Sequence, residues 1–118
     1  KEKSMIKLLT AMLLFTFGQA LIWYQTNGQF KWKWFADNPF LVACIFAVPI
    51  SYAFIIATKY VVGYFDGQLW PSRLIGFAVG TIVFTIMSML WFDEPITTKT
   101  GVCLSLSVLI LLVQLFWK

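Results

Sequence analysis

Four long stretches of apolar residues, separated by short polar segments, dominate the pattern along this chain. They cover about residues 5–24, 40–62, 74–92 and 101–117. An α-helix rises about 1.5 Å per residue, so about 20 residues cross the roughly 30 Å of hydrocarbon in a bilayer. Because lipid offers the backbone no hydrogen-bond partners, each stretch must bond internally as a helix. The pattern predicts an all-α, integral membrane bundle of four transmembrane helices, forming a single domain over residues 1–118.

Prolines mark the start of two of these helices. The second stretch follows Asp37 and Asn38 with Pro39, and the third opens with Pro71. Proline fits the first helical turn, where its missing N–H would have no partner in any case. A further proline, Pro49, lies inside the second stretch and predicts a kink there.

The aromatic residues give a second, independent signal for the membrane boundaries. Tryptophan and tyrosine prefer the two interfaces between lipid and water. All of the tryptophans lie at or just beyond the ends of the apolar stretches: Trp23, Trp32, Trp34, Trp70, Trp91 and Trp117. The segment between the first two stretches, Trp32 to Phe35, alternates aromatic and basic residues and is expected to lie in the plane of the interface.

Composition and charge agree with a membrane protein and argue against nucleic-acid binding. Hydrophobic residues make up 60% of the chain and charged residues 12%, whereas soluble domains contain about 45 to 50% apolar and about 25% charged residues. The net charge is +4, but the basic residues are scattered at the ends of the apolar stretches and form no stripe. We therefore expect contacts with the lipid bilayer and none with nucleic acid.

The distribution of Lys and Arg predicts the orientation. With four spans, one side of the membrane receives Lys1, Lys3, Lys7, Lys59, Arg73 and Lys118. The other side receives Lys31, Lys33 and Lys99. Positive residues favour the cytoplasmic side. A multi-pass protein of the cell membrane with both termini in the cytoplasm is expected.

No set of residues points to an enzyme, a cofactor or a metal site. The chain has no histidine, and its cysteines, Cys44 and Cys103, lie apart within apolar stretches. Such thiols more often pack as small hydrophobes than form a disulfide or bind a metal. There is also no glycine-rich phosphate loop and no pair of acids within a span.

Polar residues inside the spans are the candidates for a solute cavity. Gln19 and Gln114 carry amides that need hydrogen-bond partners in lipid, and polar groups facing a bundle interior often mark a ligand pathway. The predicted cavity is lined by Gln19 together with Ser51 and Tyr52, which follow the Pro49 kink. Simple helix-to-helix bonding by Gln19, backbone bonding by Ser51 and packing by Tyr52 remain as alternatives.

Two glycines in the third stretch, Gly76 and Gly80, form a Gly-x-x-x-Gly motif. Glycines at this spacing let two helix backbones approach closely in a membrane. The motif predicts either helix packing within one chain or a dimer interface, and the sequence does not choose between them.

The junction of the third and fourth stretches resembles that of the drug/metabolite transporter superfamily. Residues 89–97 read MLWFDEPIT, and Gly101 opens the last apolar stretch. This is similar to the superfamily's aromatic residue, Glu-Pro pair, aliphatic residue and Ser or Thr before a glycine-led last helix. Length and span number are similar to the small multidrug resistance branch, whose members work as dimers. The detailed similarity covers the last quarter to third of the chain and implies capping or loop geometry for Glu94.

One departure from that branch changes the expected function. Its members carry a buried glutamate in the first helix that binds protons and substrate in turn, whereas this chain has Gln19 as its comparable polar group. Glutamine does not titrate, so proton-coupled export of cationic drugs is not expected. The leading hypothesis is a homodimeric transporter-like protein for a small neutral or weakly polar solute. The alternative is a non-transporting accessory or structural subunit that packs against partner chains.

Overall fold

The computed structural model describes the backbone of residues 2–117 and the side chains of residues 5–117. Lys1 and Lys118, which enter the charge count above, lie outside the described residues. The described chain contains a short 3-10 turn, Gly28–Phe30, and five α-helices. These are α1 (Glu2–Asn27), α2 (Lys33–Asp37), α3 (Pro39–Tyr64), α4 (Trp70–Phe92) and α5 (Thr98–Phe116).

Four of these helices, α1, α3, α4 and α5, are long and apolar enough to cross a membrane. No strand occurs between residues 2 and 117. The predicted all-α fold with four membrane-spanning helices is therefore confirmed. Pro39 and Pro71 lie in the first turns of α3 and α4, as expected, and α3 continues as a helix through Pro49.

The helices form a flat bundle in which α1 is central. The Cα atoms extend over 47 × 36 × 20 Å. Helix α1 packs extensively against α3 on one side and against α4 on another, whereas α5 packs mainly against α4. Helix α5 is therefore much less buried than α4. Within the 18-residue apolar window of each helix, 6% is buried in α5 and 39% in α4.

The hydrophobic core joins α1, α3 and α4. Each helix contributes small and aliphatic side chains at helical spacing, which lets the three backbones approach one another. The buried members are Leu8, Ala11 and Phe15 of α1, Ala57 and Val61 of α3, and Ile75, Val79 and Val83 of α4. This core holds α1 in a fixed position between its two neighbours.

Aromatic rings cluster where α1 ends and α4 ends. The rings of Tyr24, Trp32 and Trp91 contact one another, with centroids 5.1 to 6.0 Å apart. The Lys31 ammonium donates a hydrogen bond of 3.3 Å to the Trp91 carbonyl oxygen and lies 5.8 Å from the centre of the Trp91 ring. The cluster ties the segment after α1 to the end of α4.

The start of α5 is capped by Thr97 and not by Glu94. The Thr97 hydroxyl accepts a hydrogen bond of 3.2 Å from the Thr100 amide, which is the usual role of an N-cap residue. Glu94 is exposed in the segment between α4 and α5. Glu94 lies three residues before the cap and therefore in the loop between α4 and α5. Of the two roles that the family resemblance implies, capping or loop geometry, only loop geometry fits this position.

Candidate functional site

A groove lies between α3 and α4 in the described chain, with α1 as its floor. Its volume is about 440 Å³, within the range of about 300 to 1,000 Å³ that ligand pockets occupy. It is lined by Phe15, Gln19, Phe54, Thr58, Ser72, Arg73, Gly76 and Phe77. Aromatic rings and polar groups therefore alternate along its wall.

Gln19 lines this groove and also borders a second depression further along α4. Its side-chain nitrogen, Nε2, donates a hydrogen bond of 3.3 Å to the backbone oxygen of Gly76. That bond fixes the side chain across the gap between α1 and α4. One N–H of the amide and its carbonyl oxygen form no other hydrogen bond with the described residues, so both can meet a solute.

The two glycines of α4 face α1 within the same chain. A Cβ atom at Gly80 would lie 2.7 Å from the amide carbon of Gln19, and one at Gly76 would lie 3.4 Å from the Phe15 ring. Gly80 therefore leaves the space that the Gln19 amide occupies. The Gly-x-x-x-Gly motif was predicted to serve either helix packing within one chain or a dimer interface. In this structure the two glycines pack against α1 of the same chain.

Hydroxyl groups extend the polar surface along α4 beyond Gln19. A second depression of about 440 Å³ shares Gln19 and Phe77 with the first and is also lined by Thr81, Thr85 and Thr100. The Thr81 and Thr85 hydroxyls donate to the carbonyl oxygens one turn earlier, those of Phe77 and Thr81. Their oxygens keep lone pairs that can accept a hydrogen bond, so the polar path follows most of the length of α4.

The structure does not bring Ser51 and Tyr52 into the groove with Gln19. Both side chains are exposed, and the side chain of Tyr52 is 68% exposed. Residues two apart on an α-helix point about 200° apart, so Tyr52 faces away from the side of α3 that carries Phe54. Ser51 shares a face with Thr58 but lies two turns earlier in α3, before the residues that line the groove.

The other glutamine of the spans, Gln114, lies away from Gln19. It borders a small, mostly apolar depression between α4 and α5. It makes no hydrogen bond with another described residue, and it lies in the last turn of α5. At that depth the lipid headgroups and water can satisfy its amide.

Several residues that sequence reasoning passed over contribute to the site. Thr58, Ser72 and Arg73 join Gln19 in lining the groove. One turn after Gln19, Trp23 is 2% exposed, and its indole N–H donates a buried hydrogen bond of 3.1 Å to the Ser88 hydroxyl. Only the helical spacing of glycine, serine and threonine along α4, at 72, 76, 80, 81, 85 and 88, signals this surface in the sequence.

Fold and site together define a small multi-pass membrane protein with four candidate spans and a partly polar groove. Comparison with protein-family models, with curated proteins and with solved structures finds no significant match. The argument for function therefore depends on the geometry of the groove.

Proposed function

We propose that this chain binds a small neutral or weakly polar solute in the groove and moves it across the membrane. The observation that carries the proposal is the position of Gln19. Its amide lines a groove of about 440 Å³, bonds the backbone oxygen of Gly76 and occupies the space that Gly80 leaves free. A polar group that is fixed in a membrane bundle and open to a cavity is suited to bind a solute.

The chemistry of the groove disfavours a cationic solute. Around Gln19 the wall carries amide, hydroxyl and aromatic groups, and the described lining contains no carboxylate. An amide with one N–H and one carbonyl oxygen available can donate to and accept from the same solute. A cationic solute would lose its hydration at this depth without a carboxylate to compensate, which is costly in a bilayer, and the guanidinium of Arg73 in the lining would repel it.

A homodimer is the assembly that we propose for transport. The groove lies open between α3 and α4, and the exposed α5 face offers a surface for a second copy. Dimeric assembly is also what the resemblance of residues 89–97 to small four-helix transporters implies. A single flat bundle, 20 Å thick, leaves the groove open. A second copy would close it.

Solute flux into proteoliposomes tests the role of Gln19. Glycerol, erythritol and urea serve as uncharged probes, with vesicle volume followed by light scattering. We expect faster entry of at least one probe than in protein-free vesicles and a roughly tenfold loss in Gln19→Ala, the size of one hydrogen bond lost in a low-dielectric site.

The matched control for that experiment is Gln25→Ala. Gln25 lies on the same helix but bonds the Ala43 carbonyl oxygen of α3, outside the groove. Its flux should equal that of the unmodified protein. Equal flux in Gln19→Ala and the unmodified protein, or equal losses in both variants, would contradict the proposal.

A second candidate function is that of a non-transporting subunit, favoured by the small buried fraction of α5. The oligomeric state in mild detergent separates the two. A discrete dimer supports transport, whereas a chain that is stable only together with other membrane proteins supports the subunit role.

We further propose the orientation that the positive residues favour, with both termini in the cytoplasm of a cell and the protein in its cell membrane. Reporter fusions at the C-terminus and in the segment between α4 and α5 test this topology. The C-terminal reporter should be active only as a cytoplasmic enzyme, and the loop reporter only as an exported one.

A further inference from the structure

The end of the groove next to the start of α4 carries an unpaired polar group. Ser72 is 8% exposed, lines the groove, and its hydroxyl forms no hydrogen bond with another described residue. No fully buried side-chain polar atom of the described residues lacks a partner, so this hydroxyl is open to the groove. The Ser72 hydroxyl is therefore available to a ligand inside the groove.

The positive end of the α4 helix dipole also has no negative side chain beside it in the first turn. No side chain caps this N-terminus, and no acidic residue lies in the first turn to balance the positive end of the helix dipole. Arg73 adds a full positive charge at the same place, and the groove lining near it contains no carboxylate. Thr58 of α3 offers a further hydroxyl across the groove. These groups together match an anion.

The wall beyond this polar end is aromatic. Phe54 and Phe77 line the same groove as Arg73 and Gln19, and Phe15 forms part of its floor. An inorganic anion would use only the cationic end, whereas a molecule with an anionic head and an apolar tail would use both parts. Arg73 lies in the first turn of a membrane-spanning helix, which is the depth of the lipid headgroups.

We infer that the end of the groove at Ser72 and Arg73 binds the phosphate of an anionic amphiphile, with the apolar part of that molecule against Phe54 and Phe77. The guanidinium donates to the phosphate oxygens in the planar geometry that arginine favours. The Ser72 hydroxyl donates a second hydrogen bond. This binding site lies in the same groove as Gln19, but binding there does not require transport.

Native mass spectrometry of the purified protein in a neutral detergent tests this inference. The probes are a phosphatidylglycerol, the phosphatidylcholine with the same acyl chains, and inorganic phosphate. We expect one phosphatidylglycerol to bind about tenfold more tightly than phosphatidylcholine, the effect of one charge-assisted contact. Arg73→Gln should remove this preference, and Ser72→Ala should reduce it about threefold.

The matched control is Lys99→Gln. Lys99 is exposed in the first turn of α5, so it is also a cation at a helix start, but Thr97 caps that helix. Its lipid preference should equal that of the unmodified protein. Gel filtration of each variant as a single species shows that the fold is retained.

Three results would overturn the inference. The first is a phosphatidylglycerol preference that survives Arg73→Gln. The second is an equal loss in Arg73→Gln and Lys99→Gln, which would mean a diffuse attraction of anionic lipid to positive charge. The third is inorganic phosphate binding as tightly as the lipid, which would assign the site to a soluble anion.

Discussion

The central helix α1 meets its two neighbours with different chemistry. Against α3 it places mainly apolar and small residues, apart from Gln25 near the end of α1, and Gly18 lies so close to Phe54 that an added Cβ would be 2.6 Å from the ring. Against α4 it places Gln19 and Trp23, both of which form hydrogen bonds between helices. One interface is apolar and closely packed, and the other is polar and borders the groove.

This difference separates what holds the bundle together from what can bind a solute. Lipid tails are as apolar as the residues they replace, so close van der Waals contact is the main force between membrane helices. The α1–α3 interface provides that contact. The α1–α4 interface has fewer apolar contacts and more polar groups, so changes there should affect function more than stability.

The largest expected loss of stability is at the α1–α3 interface, in Gly18→Ala. The new methyl group would displace the Phe54 ring, which also packs on Phe15 with centroids 5.8 Å apart. Overpacking of this kind costs about 1 to 3 kcal/mol. Reversible unfolding by sodium dodecyl sulfate in mixed micelles, followed by circular dichroism, measures the change in the free energy of unfolding.

The control for this prediction is Gly63→Ala. No atom lies within 4 Å of a Cβ built at Gly63, so this variant should not be destabilised. A stable Gly18→Ala protein would show that the α1–α3 interface can move apart without cost, and the comparison between the two interfaces would fail.

A smaller effect is expected from the hydrogen bond between Trp23 and Ser88. A double-mutant cycle with Trp23→Phe and Ser88→Ala isolates its contribution to the free energy of unfolding. Hydrogen bonds between membrane helices contribute about 0.6 kcal/mol on average and up to about 1.7, and the buried position of this one favours the upper part of that range.

The comparison cycle pairs Trp23→Phe with Ser105→Ala. The Ser105 hydroxyl donates to the Gly101 carbonyl oxygen within α5, so no coupling with Trp23 is expected. Coupling of equal size in the two cycles would mean that the Trp23 variant perturbs the whole bundle.

The smallest change in stability is expected for Gly80→Ala, together with a loss of solute flux. The new methyl group would meet the Gln19 amide, which is the end of a flexible side chain and can rotate away. The free energy of unfolding should therefore fall by less than the roughly 1 to 3 kcal/mol of a rigid clash. Flux should fall because the amide leaves its place beside Gly76.

Gly76→Ala provides the contrast for Gly80→Ala. A Cβ at this position would be in ordinary contact with Phe15, at 3.4 Å, so the Gln19 amide should stay in place. A Gly80→Ala protein with full flux would remove Gln19 from the proposed pathway, whatever its stability.

The glutamine and glycine positions show which residues of the site could be predicted from the sequence. Gln19, Gly76 and Gly80 were identified as polar or small residues that need a special environment inside a span, and the structure brings the three together. Ser51 and Tyr52 were grouped with Gln19 because they follow Pro49, but proximity to a kink does not fix the direction in which a side chain points.

The opposite case is that of residues which the sequence analysis did not place in the site: Ser72, Arg73 and Trp23. Each lies near the end of an apolar stretch, where the usual explanation is contact with lipid headgroups or with the interface. The structure instead directs Ser72 and Arg73 into the groove and buries Trp23 against Ser88. The choice depends on which helix is the neighbour at that depth, and this information is not local in the sequence.

The sequence by itself determined the number of spans, their helical state and their approximate ends. The length of each apolar stretch, set against the thickness of a bilayer, and the need to satisfy every backbone amide are local requirements. Only the tertiary structure decided that α1 lies between α3 and α4, that Gln19 meets Gly76 and Gly80, and that Arg73 opens onto the groove. Helix order and rotation depend on how the small and large side chains of all four helices fit together, and such packing is a property of the whole bundle.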